Sequence, residues 1–475
     1  MGKEKRTACR WIDDNRRTYE EAARYIWENP ELSLVEYKSS ERLQEFLRTA
    51  GFHVLRGLSG MPTAFVASWG TGKPSIGFLA EFDALPNLSQ KAGVARQSPV
   101  VPGGPGHGCG HNLLGASICT AAVAVKTALG EHRIPGTVKV FGCPAEETLV
   151  GKIFMARDGV FNGTDVMIAW HPGDLNGVDY NSMLAMTSAK FRFKGRSAHA
   201  ASAPHAGRNA LDAVELMDIA MKFMRGHIIQ EARVMSVVSR GGEVPNNVPP
   251  DAEVWYFLRA PRRAEVDRIW DWARDIARGA ALMTQTKTRH RILAATWEVL
   301  PNRVLAEIGS ANVSLVGPPS FTPEDQRFGR EVLRSSGKEA GGPAFDQEII
   351  LPDLGRAFPD VNVYPASTDL GNVSWLVPTL SFKVATLARG TALHSWQAVS
   401  QSCSAPAMKA GLTVAKWMAA SALDFFTDSE AVRKAWKEHE GYLSATPYRH
   451  PIDRKVRLPS HADLYGDVIL CQESI

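Results

Sequence analysis

Cysteine is scarce in this chain, and what there is of it is scattered. Cys9, Cys109, Cys119, Cys143, Cys403 and Cys471 are the six in 475 residues. They have no framework spacing, which excludes a small disulfide-stapled secreted domain and predicts a reducing, cytoplasmic setting. Charge of one sign is also missing. The formal net charge is +4 and the basic residues are dispersed, so the chain lacks the footprint of a nucleic-acid binder. Long hydrophobic runs are absent too. The longest, Leu113 to Val125, is followed by Lys126 and falls short of the about 20 apolar residues that span a bilayer. Met1 to Arg6 is charged, without an apolar signal core, and Arg6 stands where a myristoylation signal has Ser or Thr. No membrane partner is therefore expected. Neither an internal repeat nor a low-complexity stretch interrupts the sequence. What remains is 44% hydrophobic and 22% charged, the balance of a globular enzyme long enough for two domains.

The most distinctive stretch is Gly104-Pro105-Gly106-His107-Gly108-Cys109-Gly110-His111-Asn112. Flanking glycines let the backbone turn sharply and approach an ion, so Cys109 and His111 can face one centre. Three apolar, strand-like runs deliver further candidates at their carboxyl ends. Ser75 to Ala80 leads to Glu81-Phe82-Asp83, Thr137 to Gly142 to Cys143-Pro144-Ala145-Glu146-Glu147, and Asp165 to Trp170 to His171-Pro172. Open α/β sheets place their ligands at such strand ends. Each alone has a plainer reading: a Gly-rich turn with a buried cysteine, a solvated helix start, a loop, or, for Asp83, a helix N-cap. Their recurrence at equivalent places favours one shared site.

These segments, followed by Gly195-Arg196-Ser197-Ala198-His199-Ala200 and Thr391-Ala392-Leu393-His394-Ser395-Trp396, resemble the M20 family of metallopeptidases and aminoacylases, in the same order from about Trp11 to about Val456. Within it the chain is most similar to the amidohydrolase branch that acts on p-aminobenzoyl-glutamate. Asn112 stands where the broader family has Asp, which agrees with that branch. The resemblance implies metal ligands at Cys109, His111, Glu147, His171 and His394, Glu146 as catalytic base, and Asp83 as orienter of an imidazole. It also implies that His199 reaches the active site of a partner subunit as an oxyanion donor, and that Asn246 and Arg259 hold the carboxylate of the leaving amino acid. By itself, His199 reads as a surface-loop histidine and Arg259 as a charge ending an edge strand. The implied cofactors are two divalent ions per subunit, manganese before zinc. The implied substrate is a small N-acyl amino acid, and the implied assembly is a homodimer, with a related second subunit as a further possibility. A dipeptidase or aminoacylase of other acyl specificity, or a noncatalytic partner subunit, are the competing readings.

Hydrophobic periodicity predicts an α/β fold, a mixed sheet with helices on both faces, and an inserted α+β unit. Helices are expected over Trp11 to Trp27, Ser39 to Ala50 and Leu113 to Leu129, with a strand at Thr63 to Trp69. From about Thr187 the character changes. Strands at 190–194, 234–239, 253–258 and 289–299 and helices at 207–225 and 262–282 predict a small antiparallel sheet with two helices. The resulting division is catalytic domain over 1–186, lid and dimerisation domain over 187–298, and the rest of the catalytic domain with a tail over 299–475. Leu380 to Ala385 and the helix from Ser404 to Leu423 return to the catalytic sheet. The proline-bearing stretch between Pro86 and Gly106 reads as a flap beside the site. The polar segment from Asp424 onward suggests no function.

Overall fold

In the computed structural model, residues 1–466 are described; Cys471 lies outside them. The strands in chain order are β1 (His53–Arg56), β2 (Phe65–Thr71), β3 (Ser75–Glu81), β4 (Gly136–Cys143), β5 (Val166–Gly173), β6 (Gly177–Val178), β7 (Ser182–Met183), β8 (Ala185–Lys194), β9 (Arg233–Arg240), β10 (Asp251–Ala260), β11 (Lys287–Thr296), β12 (Val363–Tyr364) and β13 (Thr379–Ala385). The large sheet runs β1-β2-β4-β3-β5-β13-β6. Its centre, β4-β3-β5-β13, is parallel, while β1, β2 and β6 pair antiparallel. Every residue of β3 is buried, as a strand covered on both faces requires. Because β3, β4 and β5 are parallel neighbours, their carboxyl ends coincide in space. The acids and the histidine that sequence places there therefore meet.

The apolar run after the cysteine loop forms the helix His111–His132, buried over most of its length in the main hydrophobic core. It is apolar and long enough to cross a membrane, but 83% of its apolar window is buried inside the molecule, so it is a core helix. It starts two residues before the expected Leu113, which puts His111 and Asn112 in its first turn. At the N-terminus, Trp11 to Trp27 is two helices rather than one, Lys3–Asp14 and Arg16–Glu28. Asn15 breaks them, its side-chain amide donating to the carbonyl of Trp11 at 2.8 Å, the local competition that disfavours Asn within helices.

The second sheet, β11-β8-β10-β9, is antiparallel throughout and packs the helices Ala210–Met224 and Arg263–Thr284 around a separate apolar core. β10 is interior to this sheet, so Arg259 does not end an edge strand. The edges are β11 and β9, and on β9 Met235, Val237 and Val238 are exposed. The tail is more structured than its composition suggests. Helix Ser429–Ala445 docks through Trp436, whose indole donates to the Asp165 carbonyl at 2.8 Å. Glu438 accepts from the amides of Arg303 and Val304 at the start of helix Arg303–Val316, which favours an acid there.

Candidate metal centre and active site

Gly110 is in the left-handed region at φ 75°, and a Cβ there would lie 3.0 Å from Pro172. Glycine is thus required for the cysteine loop to pass from β-strand ends into the helix that presents His111. On the facing side, Ala145 and His394 also have positive φ, 56° and 57°. For residues with a Cβ this costs on the order of 1–3 kcal/mol each, and such strain concentrates where side chains must be aimed.

The side chains so aimed form one connected cluster. The Cys109 Sγ lies 3.5 Å from His171 Nε2 and 3.6 Å from His394 Nε2. Glu147 reaches His394 Nε2 at 3.3 Å and His111 Nδ1 at 4.0 Å. His111 Nε2 is 3.4 Å from Glu81 and 3.8 Å from Glu146 Oε2. Three overlapping groups have metal-binding proximity: Cys109 with His111 and His171, Cys109 with Glu147 and His394, and Glu81 with His111 and Glu146. All five expected ligands and Glu146 fall within them.

The donor set fits divalent ions for reasons internal to the structure. His111 donates through Nδ1 to Asp83 Oδ1 at 2.9 Å, and His171 through Nδ1 to the Pro172 carbonyl at 2.7 Å, so the Nε2 lone pair of each is free for an ion. Buried His111 Nε2, Glu81 Oε2 and Glu147 Oε1 have no hydrogen-bond partner, an expensive arrangement unless an ion takes them. Asp83 is no helix cap. It is buried, and it accepts from Ser33 Oγ at 3.0 Å and the Glu147 amide at 2.9 Å, so it orients the imidazole while tying the Glu147 backbone to it.

Electrostatics point the same way. Burial alone would raise the Cys109 thiol, but the adjoining His171 imidazole and the hydrogen bonds from His171 and His394 hold it well below its ordinary value, as a thiolate. Burial pushes Glu147 up to about 7, with the Cys109 charge adding to it. Burial and the charge of Glu81 hold Glu146 well above the carboxylate range. Hydrogen bonds to Cys109 and Glu147 raise His394 to about 10. So many acids around the imidazoles retain protons unless cations replace them.

Sequence reading named Glu81 at the end of its strand but missed the charges it is buried with. Lys152, Glu81 and Asp369 are buried, with Lys152 Nζ bonded to Asp369 and 2.8 Å from Glu81. Asp369 also accepts from the Lys152 amide at 2.8 Å. Removing the lysine would strand two buried carboxylates at a cost of about 3–5 kcal/mol. Thr368, the residue before Asp369, donates to Glu146 Oε1 at 2.8 Å. No periodicity or motif marks Lys152, Thr368 or Asp369, because residues of these types are ordinarily solvated.

The expected substrate residues divide. Arg259 Nε donates to Ser367 Oγ at 3.1 Å, which brings it within one residue of the Glu146 contact. His199 and Asn246 are exposed on the small sheet's outer loops. Their segments bond each other, through the His199–Asn247 bridge and the Ala200 amide to the Asn246 carbonyl at 3.0 Å. Among the described residues, neither side chain contacts the cluster.

Known proteins share both the sequence pattern and the architecture. Residues 185–282 match the family model described as peptidase dimerisation domain. The chain is 40% identical over 470 residues to one of the subunits of the p-aminobenzoyl-glutamate hydrolase of Escherichia coli, covering 94% of this chain and 98% of that protein. It is 30% identical over 451 residues to the Xaa-Arg dipeptidase of Mus musculus, covering 91% and 92%. Among solved structures, the Bacillus subtilis YXEP protein, a dinuclear metal binding peptidase, superposes with a TM-score of 0.55 at 18% identity, over 89% of this chain and 99% of that one.

Proposed function

Because the chain belongs to the M20 family of metal-dependent amidohydrolases, we propose that it cleaves the amide bond of an N-acyl amino acid, with p-aminobenzoyl-glutamate as substrate and p-aminobenzoate and glutamate as products. The observation that carries this reading is the convergence of Cys109, His111, Glu147, His171 and His394 around Glu146. The 40% identity to a hydrolase subunit named for that substrate supports the substrate class.

Divalent ions held by the five ligands, manganese in our reading with zinc as alternative, would supply the Lewis acidity that acidifies a water and polarises the amide carbonyl. The remaining work belongs to the chain. Glu146 takes the proton of the attacking water and returns it to the amide nitrogen as the C–N bond breaks. Its raised proton affinity suits this double role. Asp83 fixes the tautomer of His111. Arg259 receives the substrate carboxylate with its bidentate fork, and Asn246, whose loop is bonded to that of His199, joins it from the partner subunit. His199 of a partner subunit donates to the developing oxyanion. The exposure of His199 and its separation from its own cluster support this trans placement, as does the apolar surface of exposed Met235, Val237, Val238, Ile219 and Phe223 on β9 and the adjoining helix, the kind of edge that a second copy covers.

In this assignment, 1–186 and 299–475 form the catalytic domain and 187–298 the lid. The free state of Cys9, Cys109, Cys119, Cys143 and Cys403 supports a cytoplasmic setting. A homodimer satisfies the trans histidine, and a related second subunit would enter only through the same lid surface. A noncatalytic role is disfavoured by the intact base and ligand set.

Glu146→Ala is expected to lower hydrolysis at least about a thousandfold while two ions remain bound. Loss of both ions from that variant would exchange the roles of Glu146 and Glu147. A panel of p-aminobenzoyl-glutamate, N-acetyl amino acids and Xaa-Arg dipeptides, assayed on the wild-type protein, tests the substrate. Preference for the dipeptides would support the second reading that the dipeptidase relative raises.

A further inference from the structure

A carboxylate acting as a proton shuttle needs one oxygen held and the other free, since a freely rotating group presents both in turn. In Glu146 the two oxygens have different surroundings. Oε2 lies 3.8 Å from His111 Nε2, on the metal side. Oε1 accepts from Thr368 Oγ1 at 2.8 Å, and among the described residues the carboxylate accepts no other side-chain hydrogen bond. The threonine hydroxyl is itself constrained. It accepts from the Leu370 amide at 3.2 Å, which occupies a lone pair and leaves its single proton to point at Glu146. The next residue fixes the backbone: Asp369, fully buried, is bonded to both the amide and the ammonium of Lys152. The preceding one, Ser367, accepts from Arg259. Three consecutive residues thus hold the arginine assigned to the substrate carboxylate, the base and the buried lysine.

We propose that Thr368 is the positioning residue of Glu146: its hydroxyl pins Oε1, so that the proton of the attacking water is taken up and returned by Oε2. This rests on the reading of Glu146 as the base. Thr368 touches neither substrate nor metal in that scheme, and its effect falls on the rate of proton transfer, leaving substrate and ion affinity alone.

The test compares Thr368→Val, which keeps the shape and removes the hydroxyl, with Thr368→Ser, which keeps the hydroxyl. The valine variant is expected to lose about 10- to 100-fold in kcat, with KM within about twofold and the bound metal unchanged. The serine variant should recover kcat to within about threefold of wild type. If the valine protein fails to fold, Thr368→Ala carries the same expectation. A wild-type kcat in the hydroxyl-free variant overturns the proposal, as does a loss confined to KM, or a serine variant as slow as valine, which would make Thr368 a packing residue. Glu146→Ala run alongside separates the two claims. If it is inactive while Thr368→Val is not, only the positioning role falls; if it retains activity, the base assignment falls whatever Thr368 does.

Discussion

Cys109 is shared by two of the three overlapping groups of the cluster, lying against His171 on one side and His394 on the other. A thiolate is a far stronger anionic ligand than a hydroxyl, so Cys109→Ser is expected to weaken metal binding at least about tenfold, read by metal content after dialysis against graded chelator. Unchanged stoichiometry with full activity would reduce the cysteine to packing. Residues of this kind were legible in the sequence because their chemistry is unusual for where they sit: thiol, imidazole and paired acids ending apolar runs. Thr368, Asp369 and Lys152 were not, because each is of a type that is ordinarily solvated, and only the fold brings Lys152 and Asp369 together across 217 residues. Arg259 was misread in its plainer alternative because a strand's place within a sheet is a property of pairing, which composition does not encode.

The elements repeat this lesson one level up. The central strands were legible, since a fully buried parallel strand needs an unbroken apolar run. The N-terminal helix pair was not, because the Asn15 break leaves the hydrophobic periodicity intact on both sides. Nor was the docking of helix Ser429–Ala445, whose contacts are long-range. That docking has a pH signature. His439 is buried in this helix, and burial depresses its pKa from the ordinary 6.5 to about 4. A depressed imidazole contributes stability that is present above pH 6.5 and is lost as pH falls through about 4, because the unfolded chain binds the proton first. Between pH 7 and pH 4.5, chemical unfolding of the wild-type protein should therefore lose about 2 kcal/mol more than that of His439→Leu. Equal losses would mean that the histidine is solvated and the helix undocked. The C-terminal segment reaches further still: Tyr465 donates to Ser33 Oγ at 3.1 Å, and Ser33 donates to Asp83 beside His111.

At the scale of the whole molecule, the metal cluster and the exposed His199 belong to different sheets, and the trans assignment makes an active unit of two chains. His199→Ala and Glu146→Ala homodimers should each be nearly inactive. Mixed under confirmed subunit exchange, half the dimers are heterodimers with one complete site, so activity should return to roughly a quarter of wild type. Confirmed heterodimers without activity would place His199 in its own subunit's structure instead. Beneath this lies the claim that the cluster holds ions that hydrolysis requires. The most direct measurement strips the wild-type protein with chelator, reloads it with manganese or zinc, and follows glutamate released from p-aminobenzoyl-glutamate against metal bound per chain. The account predicts activity lost on stripping and regained in proportion as two ions bind; undiminished hydrolysis by the stripped protein, or no hydrolysis of any N-acyl amino acid or dipeptide by the fully loaded one, would contradict it.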